Sequence, residues 1–261
     1  MHKITLLALL STVYLTHAQN VDSIYYYGLD TTGIAQSIAD DEKNWRETDT
    51  VVYGNFSSVD EVVLKMKKHY RHIHQLAKDV TAPFKTEEEK VRAIFCWITA
   101  NIAYDTKEYH IKNKKVGSVS YKRSLSKQEK AEKWEEVYYK YASKVLRKNK
   151  GVCEGYATLF YELCKYNNIT CEVVLGKVKK ERNGKIRYAG HAWNKVYFNE
   201  QWFYIDATWA SGYCDEKVTV FTPALSNYYY ITCMDKPYPS HIEIEKRTKR
   251  RNDLVGNYLR Q

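Results

Sequence analysis

The first half of the chain carries apolar side chains at helical spacing. Three segments show this pattern: Val59 to Ala77, Val91 to Ile102 and Ala131 to Val145. In each segment apolar residues recur every three or four positions, which is the period of one helix face. A serine or threonine followed three residues later by glutamate stands near the start of each segment, at Ser58, Thr86 and Ser126. Because such a capping box satisfies N–H groups of a first helical turn, the sequence predicts three helices, and Pro83 is expected to end the first.

The pattern changes in the second half. An apolar face that includes Tyr156 and Phe160 predicts a further helix, which begins at about Cys153. β-Branched and aromatic residues then dominate three runs: Cys171 to Val178, His191 to Phe198 and Trp202 to Trp209. The pair Asn183-Gly184 is typical of a two-residue hairpin turn. Helices followed by antiparallel strands predict an α+β fold in which the Cys153 helix packs on the sheet.

Residues 1–18 are typical of an export signal. Lys3 precedes the short apolar run Ile4 to Leu15, and Ala18 offers a small residue at the cleavage site. The sequence therefore predicts export to the periplasm or the extracellular space after cleavage near Ala18. No later stretch reaches about 20 apolar residues, so no transmembrane segment is expected in the mature chain.

The rest of the chain divides at about residue 85. Residues 19–85 are predicted to form a tyrosine-rich lead-in and a helix, and residues 86–261 the main domain. A lysine-rich insertion occupies about residues 105–150, and its first part, 105–125, is predicted to be a loop because it lacks periodicity. A chain of 261 residues is long enough to bury a sizeable core.

The positive charge bears on the choice of partners. The formal net charge is +10, and lysine and arginine cluster in runs such as Lys112 to Lys115 and Lys246 to Arg251. Such runs form solvated faces, or they attract anionic cell-surface polymers and acidic substrates. Nucleic acid is not expected as a partner, because the sequence has no zinc-finger, RNP-like or helix-turn-helix signature.

The cysteines and clustered histidines do not predict a metal site. The six cysteines include no C-x-x-C pair, and an exported protein could oxidise some of them without the sequence fixing which. His69, His72 and His74 do not share one helix face, and neighbouring lysine and arginine side chains would repel a cation. We therefore expect these histidines to be exposed, and we expect neither a metal nor another cofactor.

Cys153 is the first candidate for chemistry. It stands at the predicted start of a helix, where unpaired backbone N–H groups carry a partial positive charge. That charge favours the thiolate, which is the nucleophilic form, and the same N–H groups can hold an oxyanion. Gly151 and Gly155 are expected to leave room for a substrate backbone near the sulfur. A core thiol and half of a disulfide are the alternatives for this residue.

His191 and Asp206 are the candidates for a base and its orienting partner. With a tight turn centred on Asn199-Glu200, Trp193 faces Asp206 across the two strands. His191 shares a face with Trp193, so Asp206 becomes its diagonal neighbour, with Cα atoms about 7–8 Å apart. An imidazole and a carboxylate can bridge that gap, whereas a three-residue loop would place them on opposite faces. A core histidine that is hydrogen-bonded for structure is the alternative.

Four longer segments of the sequence, taken together, indicate a family. They are VRAIFCWITANIAYD (Val91 to Asp105), KGVCEGYATLFYELC (Lys150 to Cys164), GHAWNKV (Gly190 to Val196) and WFYIDATW (Trp202 to Trp209). Their combination and order resemble the transglutaminase-like superfamily, which has a papain-like core. The segment YYYITCMDKPYPSHIEIEKR (Tyr228 to Arg247) is similar to one that follows the core in the kyphoscoliosis-peptidase-like branch. The resemblance implies Cys153 as nucleophile, His191 as base and Asp206 as the residue that orients the base.

The resemblance also implies thiol acyl transfer. The expected enzyme is a cysteine protease, an amidohydrolase or a transglutaminase-like enzyme that acts on peptide or glutamine-type amides in a peptide or protein substrate. Acidic loops like the calcium sites of animal cross-linking enzymes have no counterpart in the sequence. Tyr104 and Trp97 are candidates for the second oxyanion donor. A catalytically silent surface module that binds peptide or glycan in an aromatic groove is the alternative, as is a structural envelope protein held by its basic faces.

Overall fold

The computed structural model describes residues 56–111, 126–182, 185–233 and 238–245. The predicted signal peptide and the lead-in before residue 56 lie outside the described residues. The α-helices are α1 (Ser57–Leu64), α2 (Ile73–Thr81), α3 (Glu87–Asn101), α4 (Thr106–His110), α5 (Lys127–Lys148), α6 (Cys153–Tyr166) and α7 (Ala207–Ala210). None of the helices in this part of the chain is long and apolar enough to cross a membrane.

The strands form one main sheet and two short ladders. The strands are β1 (Ala103–Tyr104), β2 (Lys150–Gly151), β3 (Cys171–Arg182), β4 (Lys185–Phe198), β5 (Gln201–Ile205), β6 (Gly212–Cys214), β7 (Phe221–Pro223), β8 (Thr232–Cys233) and β9 (His241–Glu243). The main sheet is antiparallel and has the order β8-β5-β4-β3-β9. The α6 helix packs on β3 and β4 with one side and on α2 and α5 with the other. The predicted α+β architecture, with the Cys153 helix on an antiparallel sheet, is therefore confirmed.

Two of the three predicted capping boxes are present. The N–H of Glu89 donates to Thr86 Oγ1 at 3.2 Å, and the N–H of Thr86 donates to the Glu89 carboxylate at 3.0 Å. Ser126 and Glu129 make the same reciprocal pair at the start of α5. The box predicted at Ser58 is wrong, because the N-cap of α1 is Phe56, two residues earlier, and no side chain caps the helix.

The single helix predicted over Val59 to Ala77 is also wrong, because the chain breaks it into α1 and α2. Backbone carbonyls between these helices accept hydrogen bonds from side chains of other elements. The indole N–H of Trp97 donates to the carbonyl of Lys67, and the side-chain amide of Asn149 donates to that of Lys68, both at 3.0 Å. These tertiary hydrogen bonds replace those that the two carbonyls would accept within a continuous helix.

The lysine-rich insertion contributes to the core. Part of the predicted loop is helical, since α4 occupies residues 106–110, while residues 112–125 lie outside the described range. The α5 helix approaches the start of α6 through Val145: a Cβ at Gly155 would lie 2.7 Å, and one at Gly151 2.9 Å, from a methyl group of that valine. The expectation that these glycines leave room for a substrate is therefore wrong, because they make room for α5.

Hydrogen bonds fix the start of α6 relative to the sheet. The side-chain amide of Asn194, on β4, donates to the carbonyl of Ala157 at 3.0 Å. The hydroxyl of Tyr156 donates to the carbonyl of Ile102 at 2.5 Å and accepts from Ser211 at 3.2 Å. These groups are buried, so the position of the first turn of α6 is set by contacts on two sides.

A buried ion pair joins α1 to α3. Arg92 Nε donates to Asp60 Oδ1 at 2.7 Å, and Arg92 Nη2 donates to Asn227 Oδ1 at 2.9 Å. The guanidinium also lies 4.5 Å from the ring centre of Tyr230. Arg92 is 2% exposed and Asp60 5%, so neither charge can be solvated by water if the other is removed.

We expect Arg92→Met to lower the free energy of unfolding by about 3–5 kcal/mol, because it leaves the carboxylate of Asp60 buried and unpaired. Lys65→Met is the matched control, since it breaks an ion pair with Glu61 whose side chains are 75% and 74% exposed. That change should cost less than about 1 kcal/mol. Chemical denaturation of both variants measures the difference, and equal losses would contradict the role of the buried pair.

Candidate active site

Cys153 is the first residue of α6. The preceding residue, Val152, is extended and serves as the N-cap, and its carbonyl accepts a hydrogen bond from the N–H of Gly155 at 2.7 Å. The Cys153 side chain is half-buried, which leaves it reachable from solvent. The predicted position of this cysteine, in the first turn of a helix, is therefore what the structure shows, and the N–H groups of that turn surround the sulfur with partial positive charge.

Each candidate for the second oxyanion donor has a defined place. The parallel pairing of β1 and β2 sets Tyr104 opposite Gly151, two residues before Cys153. Burial raises the pKa of the Tyr104 phenol, and the proximity of Cys153 raises it further, so the hydroxyl stays protonated beside the thiol. Trp97 is excluded, because its indole N–H already donates to a backbone carbonyl.

The predicted register of β4 and β5 is confirmed. Phe198 pairs with Gln201 and Asn194 pairs with Ile205. Asn199 and Glu200 have φ values of 48° and 64°, which are the left-handed values that a tight hairpin turn of this type needs at both central residues. Glutamate is an uncommon residue there, so the register depends on the strand pairing more than on turn chemistry.

Asp206 leaves the strand and caps a helix. The run predicted as a strand up to Trp209 is wrong beyond Ile205, because Asp206 Oδ1 accepts hydrogen bonds from the N–H groups of Thr208 at 2.8 Å and Trp209 at 3.0 Å. These bonds begin α7 and hold one oxygen of the carboxylate. The other oxygen is left to face His191, in the middle of β4.

The second carboxylate oxygen contacts two imidazoles. Asp206 Oδ2 lies 2.6 Å from His191 Nε2 and 2.9 Å from His241 Nε2. The Asp206 side chain is 0% exposed, so its four hydrogen bonds replace water completely. Cys153 lies close enough to His191 to contribute to the raised pKa of its imidazole, and Nδ1 is the ring nitrogen that does not contact the carboxylate. The structure thus brings together all three residues singled out in the sequence.

The electrostatics favour a charged imidazole beside the carboxylate. Burial alone would lower the pKa of His191, but the charge of Asp206 and its hydrogen bond outweigh burial and raise that pKa to about 10, with a smaller contribution from Cys153. Burial opposes ionisation of Asp206, yet His191 and His241 hold the pKa of its carboxyl well below the ordinary range. Burial lowers the pKa of His241, so this second imidazole is neutral.

These shifts predict how stability depends on pH. A raised pKa of His191 stabilises the fold below its ordinary value of 6.5, and that contribution is lost as the pH rises through about 10. A lowered pKa of Asp206 stabilises the fold above its ordinary value of 3.8, and that contribution is lost as the pH falls. His241 resists protonation when folded, so stability also declines as the pH falls below its ordinary value of 6.5.

We therefore expect this site to contribute most to the melting temperature of the native protein near pH 6.5, and the contribution to fall on both sides. Above that pH the folded protein keeps a proton on His191 that the unfolded chain has lost, and below it the unfolded chain binds a proton that folded His241 resists. Subtracting the profile of Asp206→Asn isolates the site from the other ionisable groups of the chain. The difference should shrink at both ends of the range. A difference that is independent of pH would contradict the assignment of opposite charges to His191 and Asp206.

The donor atoms of this cluster are used in hydrogen bonds. His191, Asp206 and His241 offer ligand atoms that all lie within 4.8 Å of one another, a set of types that could hold a transition metal. Both imidazole nitrogens, however, point at the same carboxylate oxygen at distances typical of charge-assisted hydrogen bonds. The geometry is therefore accounted for by protons between the nitrogens and the oxygen.

The other cysteines and the clustered histidines do not contact the Asp206 carboxylate in the part of the chain that the structure describes. His69, His72 and His74 are exposed, as expected. Cys96, Cys164 and Cys171 are buried, and Cys214 is half-buried. Together with Cys153, these are the cysteines whose side chains the structure describes, and none of them forms a disulfide.

Sequence reasoning missed His241. It lies in the segment Tyr228 to Arg247, which follows the strands by a long and irregular connection. Periodicity could not pair β9 with β3, because the two strands are far apart in sequence. The available signal was the similarity of that segment to one found in the kyphoscoliosis-peptidase-like branch.

Comparison with known proteins gives the chain a family. Residues 74–207 match the model of the transglutaminase-like superfamily. The kyphoscoliosis peptidases of Mus musculus and Homo sapiens are each 29% identical to the chain over 165 residues, which is 61% of this chain and 21% of each relative. The chain thus spans about a fifth of the length of these curated relatives.

Solved structures show more distant similarity. A protein from Cytophaga hutchinsonii is 21% identical, with a TM-score of 0.34 over 62% of this chain and 45% of that one. A TGase is 20% identical, with a TM-score of 0.31 over 67% of this chain and 37% of that one. The family model covers half of the residues, including α6, β4 and the start of α7, and on that ground the chain belongs to the transglutaminase-like superfamily.

Proposed function

We propose that the protein is a thiol acyl-transfer enzyme that acts on peptide or glutamine-type amides, most simply a cysteine peptidase. The observation that supports this most is the row of thiol, imidazole and buried carboxylate at Cys153, His191 and Asp206. The name of the kyphoscoliosis peptidases is consistent with the same chemistry. Cys153 is the nucleophile, His191 the general base and acid, and Asp206 holds the imidazole in its orientation.

The first half of the reaction breaks the amide. The Cys153 thiolate attacks the carbonyl carbon, and the negative charge moves to the carbonyl oxygen, where N–H groups of the first turn of α6 can stabilise it. The tetrahedral intermediate collapses, the C–N bond breaks, and protonated His191 gives its proton to the leaving amine. The products are a thioester on Cys153 and a free amine.

The second half resolves the thioester. His191, now neutral, removes a proton from water or from a second amine, which attacks the thioester carbonyl. Collapse of this intermediate breaks the C–S bond and returns the sulfur as thiolate beside a protonated imidazole. Water gives hydrolysis or deamidation, whereas an amine gives a new amide.

A mixed peptide library incubated with a free amine tests the proposal directly. Mass spectrometry distinguishes the outcomes, because cleavage adds water across a bond, deamidation exchanges an amide for an acid and transfer adds the amine. We expect at least one of these changes with the native protein and none with Cys153→Ala. Peptides that bind without any change in mass would instead favour a silent binding module.

Export is a second part of the proposal. It rests on the signal-peptide pattern of a basic residue, Lys3, the apolar run Ile4 to Leu15 and a small residue, Ala18, at the cleavage site. Expression with the natural N-terminus, followed by mass measurement of the secreted or periplasmic protein, tests it. A protein that keeps residues 1–18 and remains in the cytoplasm would contradict export without affecting the chemistry at Cys153.

A further inference from the structure

His241 reaches the carboxylate from the edge of the sheet. It is the first residue of β9, which pairs with β3 so that His241 lies opposite Val178. Its side chain is buried, and its Nε2 lies 2.9 Å from Asp206 Oδ2. His241 therefore contacts the same oxygen as His191, but it comes from a strand beyond residues 74–207, the part of the chain that matches the family model.

Both ring nitrogens of His241 have partners, and these fix its tautomer. The carboxylate of Asp206 can only accept, so Nε2 must carry the proton. The Ser240 hydroxyl lies 3.0 Å from Nδ1 and can donate to it. A neutral imidazole with this tautomer satisfies both contacts, in agreement with the lowered pKa of His241.

Aromatic rings hold His241 in place. The ring centres of Trp209, Trp193 and Tyr238 lie 4.8, 5.0 and 5.0 Å from that of His241. The β9 backbone also approaches β3 closely, since a Cβ at Gly176 would lie 2.2 Å from the carbonyl oxygen of Ile242. A side chain at position 176 would push β9 away, so the glycine allows the edge strand to bring His241 to the site.

The contacts of Asp206 show what His241 adds. The N–H groups of Thr208 and Trp209 hold Oδ1, but they leave the carboxylate free to turn about the axis through that oxygen. The N–H of His241 holds the second oxygen, Oδ2, at 2.9 Å. With both oxygens held, the remaining lone pair of Oδ2 is directed at His191 Nε2, and the imidazole is kept in line with the sulfur.

We infer that His241 is a positioning residue for the reaction, which fixes the Asp206 carboxylate so that His191 stays aligned with Cys153. This inference rests on the proposed function, and it makes the C-terminal edge strand β9 part of the active site. His241 touches neither the sulfur nor a reacting atom, so its effect reaches the chemistry through Asp206. Misalignment of a catalytic group by about 1 Å can cost about 100-fold in rate.

The test compares three variants of the full chain by the rate at which iodoacetamide alkylates Cys153 at neutral pH. His241→Phe keeps a ring among the aromatic neighbours and removes the N–H donor. His241→Gln keeps a side-chain donor. Ile242→Ala is the matched control, because this residue of β9 is 47% exposed and does not contact Asp206. Peptide mapping separates Cys153 from Cys214, which serves as the internal reference thiol.

We expect His241→Phe to slow alkylation of Cys153 by about 10- to 100-fold. His241→Gln should stay within about 3-fold of the native rate, and Ile242→Ala should not change it. The rate at Cys214 should be the same in all proteins. If His241 had a purely structural role, His241→Phe would have a lower melting temperature, but its folded form would show an unchanged rate of alkylation at Cys153. That result would overturn the inference.

Two other outcomes are decisive. If His241→Phe does not fold, Ser240→Ala decides the question, because it removes the hydrogen-bond partner of His241 Nδ1. Alkylation of Cys153 should then be slower in Ser240→Ala than in Ile242→Ala. Equal rates in these two variants would overturn the inference. If Cys153 of the native protein reacts no faster than Cys214, the proposed function itself fails. If iodoacetamide alkylates Cys153 rapidly in the native protein and equally rapidly in His241→Phe, only the role of His241 is overturned.

Discussion

Replacing Cys153 with alanine is expected to abolish turnover of any peptide that the native protein modifies. The loss should be about 10³-fold or more, because removal of a nucleophile leaves only binding and oxyanion stabilisation. The melting temperature should change little, since the side chain is half-buried and lies at a helix start. Product formation followed by mass spectrometry measures the effect.

Cys214→Ala is the matched control for this variant. It makes the same chemical change at another half-buried cysteine that is not in a disulfide, and it should retain turnover. If both variants lose activity to the same extent, the loss comes from a general effect of removing thiols. If Cys153→Ala keeps full activity, another residue carries the chemistry.

Asp206→Ala is expected to lower both stability and activity strongly. It removes the acceptor of four hydrogen bonds and leaves the His191 charge without a counter-ion in a buried site. Leaving one partner of a buried charge pair without its counter-ion costs about 3–5 kcal/mol. The free energy of unfolding should therefore fall by about that amount. Residual folded protein should also turn over substrate about 10³-fold more slowly or worse, because the imidazole loses its orientation.

Asp215→Ala is the control for the loss of a hydrogen-bonded carboxylate. Asp215 also accepts from two backbone N–H groups, those of Thr219 and Val220, both at 2.6 Å, but it is exposed. Water can replace the carboxylate, so this variant should cost much less than Asp206→Ala. Chemical denaturation of the two variants side by side separates the buried site from the exposed turn, and equal losses would contradict the account of Asp206.

The alternation of side chains along two neighbouring strands was enough to place His191 next to Asp206. Once Phe198 faces Gln201, the register fixes every later pair, and a period of two fixes which residues share a face. The start of α6 at Cys153 was equally predictable, because a glycine precedes it and an apolar stripe follows it. Local rules were sufficient wherever the contacts were close in sequence.

Contacts between distant segments were not predictable in this way. The break between α1 and α2 depends on donors from Trp97 and Asn149 that are remote in sequence. Gly155 was expected to face a substrate, but its neighbour is Val145 on α5. His241 reaches Asp206 only because β9 returns to the edge of the sheet. In each case the pattern of one segment contains no information about its partner.

The rate of alkylation of Cys153 by iodoacetamide as a function of pH tests the central claim most directly. If His191 holds Cys153 as a thiolate, the native protein should react rapidly at about pH 6, where an ordinary thiol is protonated. His191→Gln should shift the onset of reaction toward about pH 8.5, the range of a free cysteine. A native Cys153 that reacts only above about pH 8.5, at the same rate as in His191→Gln, would contradict the account.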